Sequence, residues 1–129
     1  MNESIGYLLE KSMVEIWSER NEARRQEALE RLYAPDVNFF EFERIFHGRP
    51  AIHERVGEFL AMWPTEFVFY FDQAARVNNH FVQLSWNFGV PGAPPAVSGM
   101  DIAVVKNNLI SGLYLFLDTP PQGEPNPLK

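Results

Sequence analysis

One carboxylic acid lies in a stretch of sequence whose neighbours on the same face are apolar. Residues 97–106 alternate in the way that predicts a β-strand, and Asp101 shares its parity there with Val97, Ala103 and Val105. A carboxylate among apolar side chains needs a partner or takes up a proton, because desolvation penalises its charged form. Buried acids of this kind are candidates for proton-transfer chemistry. Asp101 is therefore the first candidate catalytic residue.

Composition narrows the chemistry that could surround this acid. The chain has 129 residues, 46% of them hydrophobic, which suits one domain with a single core. It contains no cysteine, which excludes disulfides, thiolate metal sites and a cysteine nucleophile. A net charge of -6 argues against nucleic acid as a partner, and no apolar run is long enough for a membrane span. The histidines lack metal-ligand spacing, so we expect no metal, no cofactor and a cytoplasmic location.

Three helices are predicted in the first half of the chain. Apolar residues at helical spacing mark a first helix over 5–17 and a second that ends before Pro35, with Tyr33 on its inner side. A third helix is expected over 48–63, because Pro50 suits a first helical turn.

The hydrophobic period then changes to two, which predicts strands. Five strands are expected, at 37–42, 65–73, 82–88, 97–106 and 109–118. Asn78-Asn79 and Asn107-Asn108 mark hairpin turns, because asparagine tolerates a positive φ.

This order of elements predicts an α+β fold, in which helices are segregated to one side of a sheet. We expect a cone-shaped, curved antiparallel sheet wrapped around three helices and enclosing a cavity. One domain would cover 1–118, followed by a Pro-rich tail at 119–129. The outer sheet face would expose Tyr70, Tyr114 or Phe116, and an exposed apolar face indicates a partner. We therefore expect a homodimer formed through that face.

Several short motifs stand in a distinctive order, namely Trp17, then residues 24–29, 32–37, 48–52 and 99–101 before the last hairpin. In order and spacing they resemble the nuclear transport factor 2-like superfamily, specifically its SnoaL-like and ketosteroid-isomerase-like branch. The likeness covers nearly everything from Ile5 to Asp118, and it implies a cystatin-like α+β barrel. It implies less about chemistry, because the superfamily ranges from isomerases and cyclases to non-enzymatic binding modules.

The resemblance also implies roles for two acids. Asp101 is similar to the strand acid that ketosteroid isomerases keep protonated as an oxyanion-hole donor, and to the Asp that serves SnoaL-like cyclases as general acid/base. Counting forward from Asp36, Glu41 falls where those isomerases place their base. Their first-helix tyrosine is about Met13 here, and the Arg of limonene epoxide hydrolases is Gly99. These two departures count against steroid isomerase and epoxide hydrolase activity.

The second polar group of the cavity has three candidates. Glu43 has the same parity as Glu41 and could lie at the rim, and His47 would lie beside Gly48 at the cavity mouth of this fold. An ion-paired Glu41 or a solvent-exposed His47 would instead be structural. These alternatives stay open at the level of sequence.

Aromatic side chains either line the cavity or fill the core. The candidate substrate contacts are Trp17, Phe39, His47, Trp63, Trp86 and Phe88. With Trp17 or Trp86 on the wall opposite Asp101, burial should raise the pKa of that acid.

Two functions from different classes remain. The first is a cofactor-free isomerase, cyclase or dehydratase for an apolar small molecule, with Asp101 as acid and Glu41 or His47 as base. The second is a non-catalytic module of the same fold that binds an apolar metabolite or a protein.

Overall fold

The computed structural model describes residues 5–118. The helices are α1 (Gly6–Ser12), α2 (Glu22–Leu32) and α3 (Gly48–Ala61), and a π-helical segment, Met13–Trp17, continues α1. The strands are β1 (Tyr33–Glu41), β2 (Arg44–His47), β3 (Val68–Tyr70), β4 (Arg76–Asn78), β5 (Phe81–Gly89), β6 (Val97–Lys106) and β7 (Leu109–Leu117). The predicted tail at 119–129 lies outside the described residues.

All seven strands belong to one curved sheet. Their order is β2-β1-β7-β6-β5-β3, and β4 pairs with β5 beside β3. The pair β1–β7 is parallel and the other pairs are antiparallel. The predicted α+β class with three helices is confirmed. The sheet is open and mixed, because β2 and β3 stand at its ends and the first strand lies parallel to the last.

The two asparagine turns make hairpins. Lys106 pairs with Leu109, and both intervening residues, Asn107 and Asn108, have positive φ (52° and 62°), as a two-residue type I′ turn requires. The earlier turn lies one residue later than predicted. Asn78 pairs with Phe81, which leaves Asn79-His80 as the connection.

The start of β1 differs from the sequence prediction. Tyr33 is extended (φ −112°, ψ 144°) and opens the strand, where the pattern placed it on the inner side of α2. The chain extends this early because Pro35 excludes helix from the residue before it. Arg49 from α3 holds the junction, donating from Nη2 to the carbonyl oxygens of Tyr33 (2.7 Å) and Glu30 (3.1 Å).

Two other strands differ from the sequence prediction, because alternation along the sequence does not mark their bounds. The short edge strand β2 was missed, because it has little alternation in burial for a pattern to reveal. The strand predicted at 65–73 is formed only over Val68–Tyr70, since apolar residues on both of its faces hide where pairing ends.

The central strands present an apolar face to the helices. On β5 the buried side chains are Val82, Leu84, Trp86 and Phe88, and on β6 the buried acid Asp101 lies in the same row as Ala103 and Val105. Loops near this face are tied down by long-range bonds. The Phe69 N–H donates to Ser18 Oγ (2.9 Å), and Arg20 Nη1 donates to the Leu60 carbonyl oxygen (2.8 Å).

Candidate functional site

A cavity of about 660 Å³ opens between the helices and the inner face of the sheet. Its aromatic lining comes from Trp17, Phe39, Phe42, Phe59, Trp63, Phe69 and Trp86. Its ionisable lining residues are Glu41, Glu43, Arg44, Arg55 and Asp101. Volume and composition suit an apolar small molecule held by a few polar groups.

Asp101 is the buried polar group of this cavity on the sheet side. Its side chain lines the cavity in a residue only 3% exposed. Trp86 Nε1 donates a hydrogen bond of 3.1 Å to Oδ1, and residues 5–118 supply this carboxyl with no cation. Burial raises the pKa of Asp101 to about 7, and the bond from Trp86 opposes that rise. At neutral pH the acid is therefore poised between its protonated and ionised forms.

Strand register explains how Trp86 reaches the acid. Asp101 pairs with Leu84, and Trp86 pairs with Gly99, two residues before the acid. A Cβ atom at Gly99 would collide with the Phe116 carbonyl oxygen and lie 2.9 Å from Cζ2 of the indole. Gly99 thus leaves room for the ring to lie across β6. The sequence expected Trp86 on an opposing wall, but it belongs to the neighbouring strand of the same face.

Glu41 lines the same cavity in a different setting. Its carboxylate accepts two bonds from Arg55 of α3, Nε to Oε1 at 2.8 Å and Nη2 to Oε2 at 3.0 Å. Arg55 also lies 3.7 Å from Glu58. This is the ion-paired alternative that the sequence left open. A group whose two oxygens are both held by a guanidinium is not positioned as a free base.

The hairpin between β1 and β2 supplies the remaining charged lining. Glu41 pairs with Arg44 across the Phe42-Glu43 turn, and all four residues line the cavity. Arg44 places its guanidinium 4.7 Å from the ring centre of Phe46. Glu43 is therefore a cavity residue, as one of the three alternatives predicted.

Two predicted contacts lie outside the cavity lining. His47 is exposed, and its Nδ1 lies 2.7 Å from Asn38 Oδ1, with which it pairs across β1 and β2. Strand alternation turns His47 to the other face from Phe46, which stacks on the cavity residue Phe39 at 5.8 Å. Phe88 is fully buried and packs on Phe69 at 4.6 Å, so it belongs to the core. Trp17, Phe39, Trp63 and Trp86 line the cavity as expected.

A second hydrogen-bond cluster behind the cavity was missed by the sequence reasoning. Tyr33 Oη accepts from Trp17 Nε1 (3.0 Å) and lies 2.6 Å from Ser12 Oγ, and all three side chains are buried. Burial raises the pKa of Tyr33, and the charge of Asp101 adds to that rise. Tyr33 is therefore neutral over the physiological range. The sequence placed Tyr33 on an inner face, but no local pattern indicates its bonds to Ser12 and Trp17, which lie 21 and 16 positions earlier.

Other classes of site receive no support from the described residues. Over residues 5–118 no group of three or more His, Cys, Asp or Glu side chains could hold a metal ion. In that same part of the chain, no helix is long and apolar enough to cross a membrane.

Comparison with known proteins gives matches at the level of structure. No protein-family model and no curated protein matches the chain. A SnoaL-like family protein of Agrobacterium tumefaciens is 17% identical, with a TM-score of 0.78 over 88% of this chain and 96% of that one. A candidate SnoaL-like polyketide cyclase of a Jannaschia species is 10% identical, with a TM-score of 0.72 over 92% and 91%. A candidate ketosteroid isomerase of Kribbella flavida is 17% identical, with a TM-score of 0.67 over 95% and 83%.

These matches define the fold of the chain. It is the fold shared by proteins described as SnoaL-like, as NTF2-like, as ketosteroid isomerases and as having a cystatin-like fold. The resemblance drawn from the sequence motifs is confirmed at this level. At such low identities the likeness does not carry a reaction, since one fold supports many functions.

Proposed function

We propose that the protein binds an apolar small molecule and catalyses a cofactor-free proton transfer on it, as an isomerase, cyclase or dehydratase. One observation carries the proposal. Asp101 lines an aromatic cavity, and burial raises its pKa to about 7. The names of the structural neighbours, candidate isomerases and polyketide cyclases, support the same class of reaction.

Asp101 suits the acid role for an electrostatic reason. In its neutral form it donates a hydrogen bond to an acceptor oxygen of the substrate and stabilises the negative charge that develops there. With a pKa close to the working pH it can also give up and regain a proton, the condition for efficient general acid–base catalysis. Asp101 is buried among aromatic walls, and the low local dielectric of such surroundings strengthens these interactions.

The other candidate groups take lesser parts in this proposal. Glu41 is held by Arg55, so it orients the rim of the cavity, and its use as the base stays a prediction. Glu43 is exposed and lines the rim without an ion pair among the described residues. His47 lies outside the lining, so we assign it no part in the chemistry.

The experiment is deuterium exchange next to the carbonyl group of apolar ketones and enones, followed by mass spectrometry. We expect Asp101→Asn to keep the fold and to lower the exchange rate by roughly two orders of magnitude. Glu54→Gln, a change at an exposed residue of α3 outside the cavity lining, is the control and should retain most of the rate. Exchange that is equally fast in Asp101→Asn would contradict the proposal.

The alternative is a non-catalytic pocket for an apolar metabolite or a partner protein. It is favoured by the Glu41–Arg55 pair, because both oxygens of the acid predicted to serve as the base bond to a guanidinium. Tight binding of an apolar ketone with no exchange above the solvent background would support this alternative.

We further propose that two copies associate through the outer sheet face. Strand register places Ile45, Phe40, Tyr114 and Ile102 in one row across four strands, and Phe40 stacks on Tyr114 at 4.3 Å. Phe116 beside this row is 45% exposed. Such a face favours association. Sedimentation should show a dimer that Tyr114→Lys dissociates, and a monomeric wild type at micromolar concentration would refute it. A cytoplasmic location also stays a prediction.

A further inference from the structure

We propose that Trp86 is a positioning residue that keeps the Asp101 proton on Oδ2 and so fixes the direction in which the acid donates. The use of this bond in catalysis rests on the proposed function. The position of the Asp101 proton can be tested without any turnover.

The bond between Trp86 and Asp101 determines which oxygen of the acid accepts. An indole N–H is a donor only, so Oδ1 of Asp101 must accept in the 3.1 Å contact with Trp86 Nε1. A proton placed on Oδ1 would compete with that donor for the same oxygen. The neutral acid therefore carries its hydrogen on Oδ2, and the bond to Oδ1 leaves Oδ2 as the atom that serves a ligand.

Trp86 has little freedom to turn away from Asp101. Its side chain is 5% exposed, and its ring meets Phe69 edge-on at 5.1 Å. On the other side the ring crosses Gly99, where any side chain would displace it. The orientation of the N–H is thus set by the packing of β3, β5 and β6.

Trp17 is a matched tryptophan within the same cavity. Both tryptophans line the cavity, and each donates its N–H to a buried group with a raised pKa. Trp17 donates to Tyr33 and Trp86 donates to Asp101. The two indoles therefore resemble each other in burial and in type of bond, and they differ in whether they contact the acid.

The charged groups around Asp101 do not fix the position of its proton in the way that Trp86 does. Tyr33 from β1 is the titratable group that interacts electrostatically with Asp101, and it stays neutral. The remaining charged groups on the cavity are Glu41, Glu43, Arg44 and Arg55. They lie on the β1–β2 hairpin and on α3, and Trp86 is the group that bonds the acid directly.

This geometry narrows the class of ligand. An acid that offers one hydrogen from Oδ2 recognises an acceptor oxygen, such as a carbonyl or ether oxygen on an apolar framework. An ammonium group on the same framework would instead need Asp101 ionised. A naphthyl ketone should therefore bind below pH 7 with higher affinity than the matched naphthyl ammonium compound.

The direct test is an NMR titration of the wild-type protein that follows the three indole N–H resonances and the Asp101 carboxyl carbon. We expect the Trp86 resonance to shift with a midpoint near the pKa of Asp101, and the Trp17 resonance to shift much less. Because this measurement uses the wild type, it stands even where a variant fails to fold. A Trp86 resonance that does not follow Asp101 would overturn the inference.

Two matched variants extend the test. Trp86→Phe removes the donor to Oδ1, which should raise the pKa of Asp101 further, by about one unit. Trp17→Phe removes an equivalent donor that serves Tyr33 and should leave that pKa nearly unchanged. Equal shifts in both variants, or none in either, would overturn the inference. A shift in Trp86→Phe alone, in a protein that shows no exchange activity, would retain the positioning geometry and refute the proposed function.

Discussion

The two acids of the cavity differ in what surrounds them. Asp101 on β6 is 3% exposed and bonds to a neutral indole N–H, and burial raises its pKa to about 7. Glu41 at the end of β1 keeps 16% of its side chain exposed and receives two bonds from the Arg55 guanidinium. The indole N–H engages one oxygen of Asp101 and leaves the other for a ligand, whereas the guanidinium engages both oxygens of Glu41. The comparison teaches that the partner, as much as the burial, decides which acid has an oxygen free to act on a substrate.

The largest expected effect concerns the pH dependence of stability at Asp101. Its folded-state pKa is raised, so its contribution to stability is full below about pH 4 and is lost as the pH rises to about 7. Over that interval the wild type should lose about 4 kcal/mol through this group. Asp101→Asn should lack the loss and gain relative stability at alkaline pH. Urea unfolding at pH 4 and pH 8 measures both proteins, and parallel pH profiles would contradict the assignment.

A slightly smaller effect is expected at Gly99, over which the Trp86 ring lies. Gly99→Ala forces a Cβ against the Phe116 carbonyl oxygen and the indole, and should lower the free energy of unfolding by about 3 kcal/mol. The control is Gly112→Ala on β7, where a Cβ would meet its nearest neighbours at 3.7 and 3.8 Å, ordinary contact distances. Thermal and urea unfolding compare the two. Similar losses would show that the space over Gly99 is not specific to the indole.

The ion pair between Glu41 and Arg55 predicts a moderate effect on stability. Glu41→Gln leaves the largely buried Arg55 without its two charged bonds and should destabilise the fold by about 2 kcal/mol. Glu58→Gln is the matched control, because Glu58 is 56% exposed and lies 3.7 Å from the same guanidinium. Its removal should change stability by less than about 0.5 kcal/mol. The pair would be energetically unimportant if both variants unfolded like the wild type.

The smallest effect lies outside the cavity and has the opposite sign to that of Asp101. Arg25 Nε donates to His53 Nδ1 at 3.2 Å, and burial together with the Arg25 charge lowers the pKa of His53. Its contribution to stability is present above the ordinary histidine pKa and is lost as the pH falls through the lower folded value. His53→Gln should show a shallower loss of stability on acidification. A histidine carbon-proton NMR titration checks the direction, and a raised pKa would contradict it.

The sequence predicted the surroundings of Asp101 better than those of Glu41. Alternation within one strand is local information, so the burial of Asp101 could be inferred from its neighbours. The partner of Glu41 is fourteen positions away on another element, and nothing in the pattern around Arg55 indicates that contact. The start of β1 combines both kinds of information, because Pro35 is a local signal and the bond from Arg49 to the Tyr33 carbonyl oxygen comes from α3.

The predicted place of His47 in the cavity was wrong because of strand alternation. The family resemblance placed it at the cavity mouth, but β2 turns alternate residues to opposite faces, and Phe46 takes the inner side. The predicted fold was accurate because helix spacing, strand alternation and asparagine turns are short-range signals that agreed with each other.

The parallel pairing of β1 with β7 has a consequence for how the molecule is made. Asn38 lies beside Gly112 and Phe40 beside Tyr114, so β1 pairs on that side with a strand synthesised more than seventy residues later. Contacts this distant in sequence form slowly, because a long loop must close before they are gained. On the ribosome β1 therefore waits with one edge exposed until β7 emerges. A chain halted before Leu109 would keep that edge open, and we expect such truncated products to aggregate.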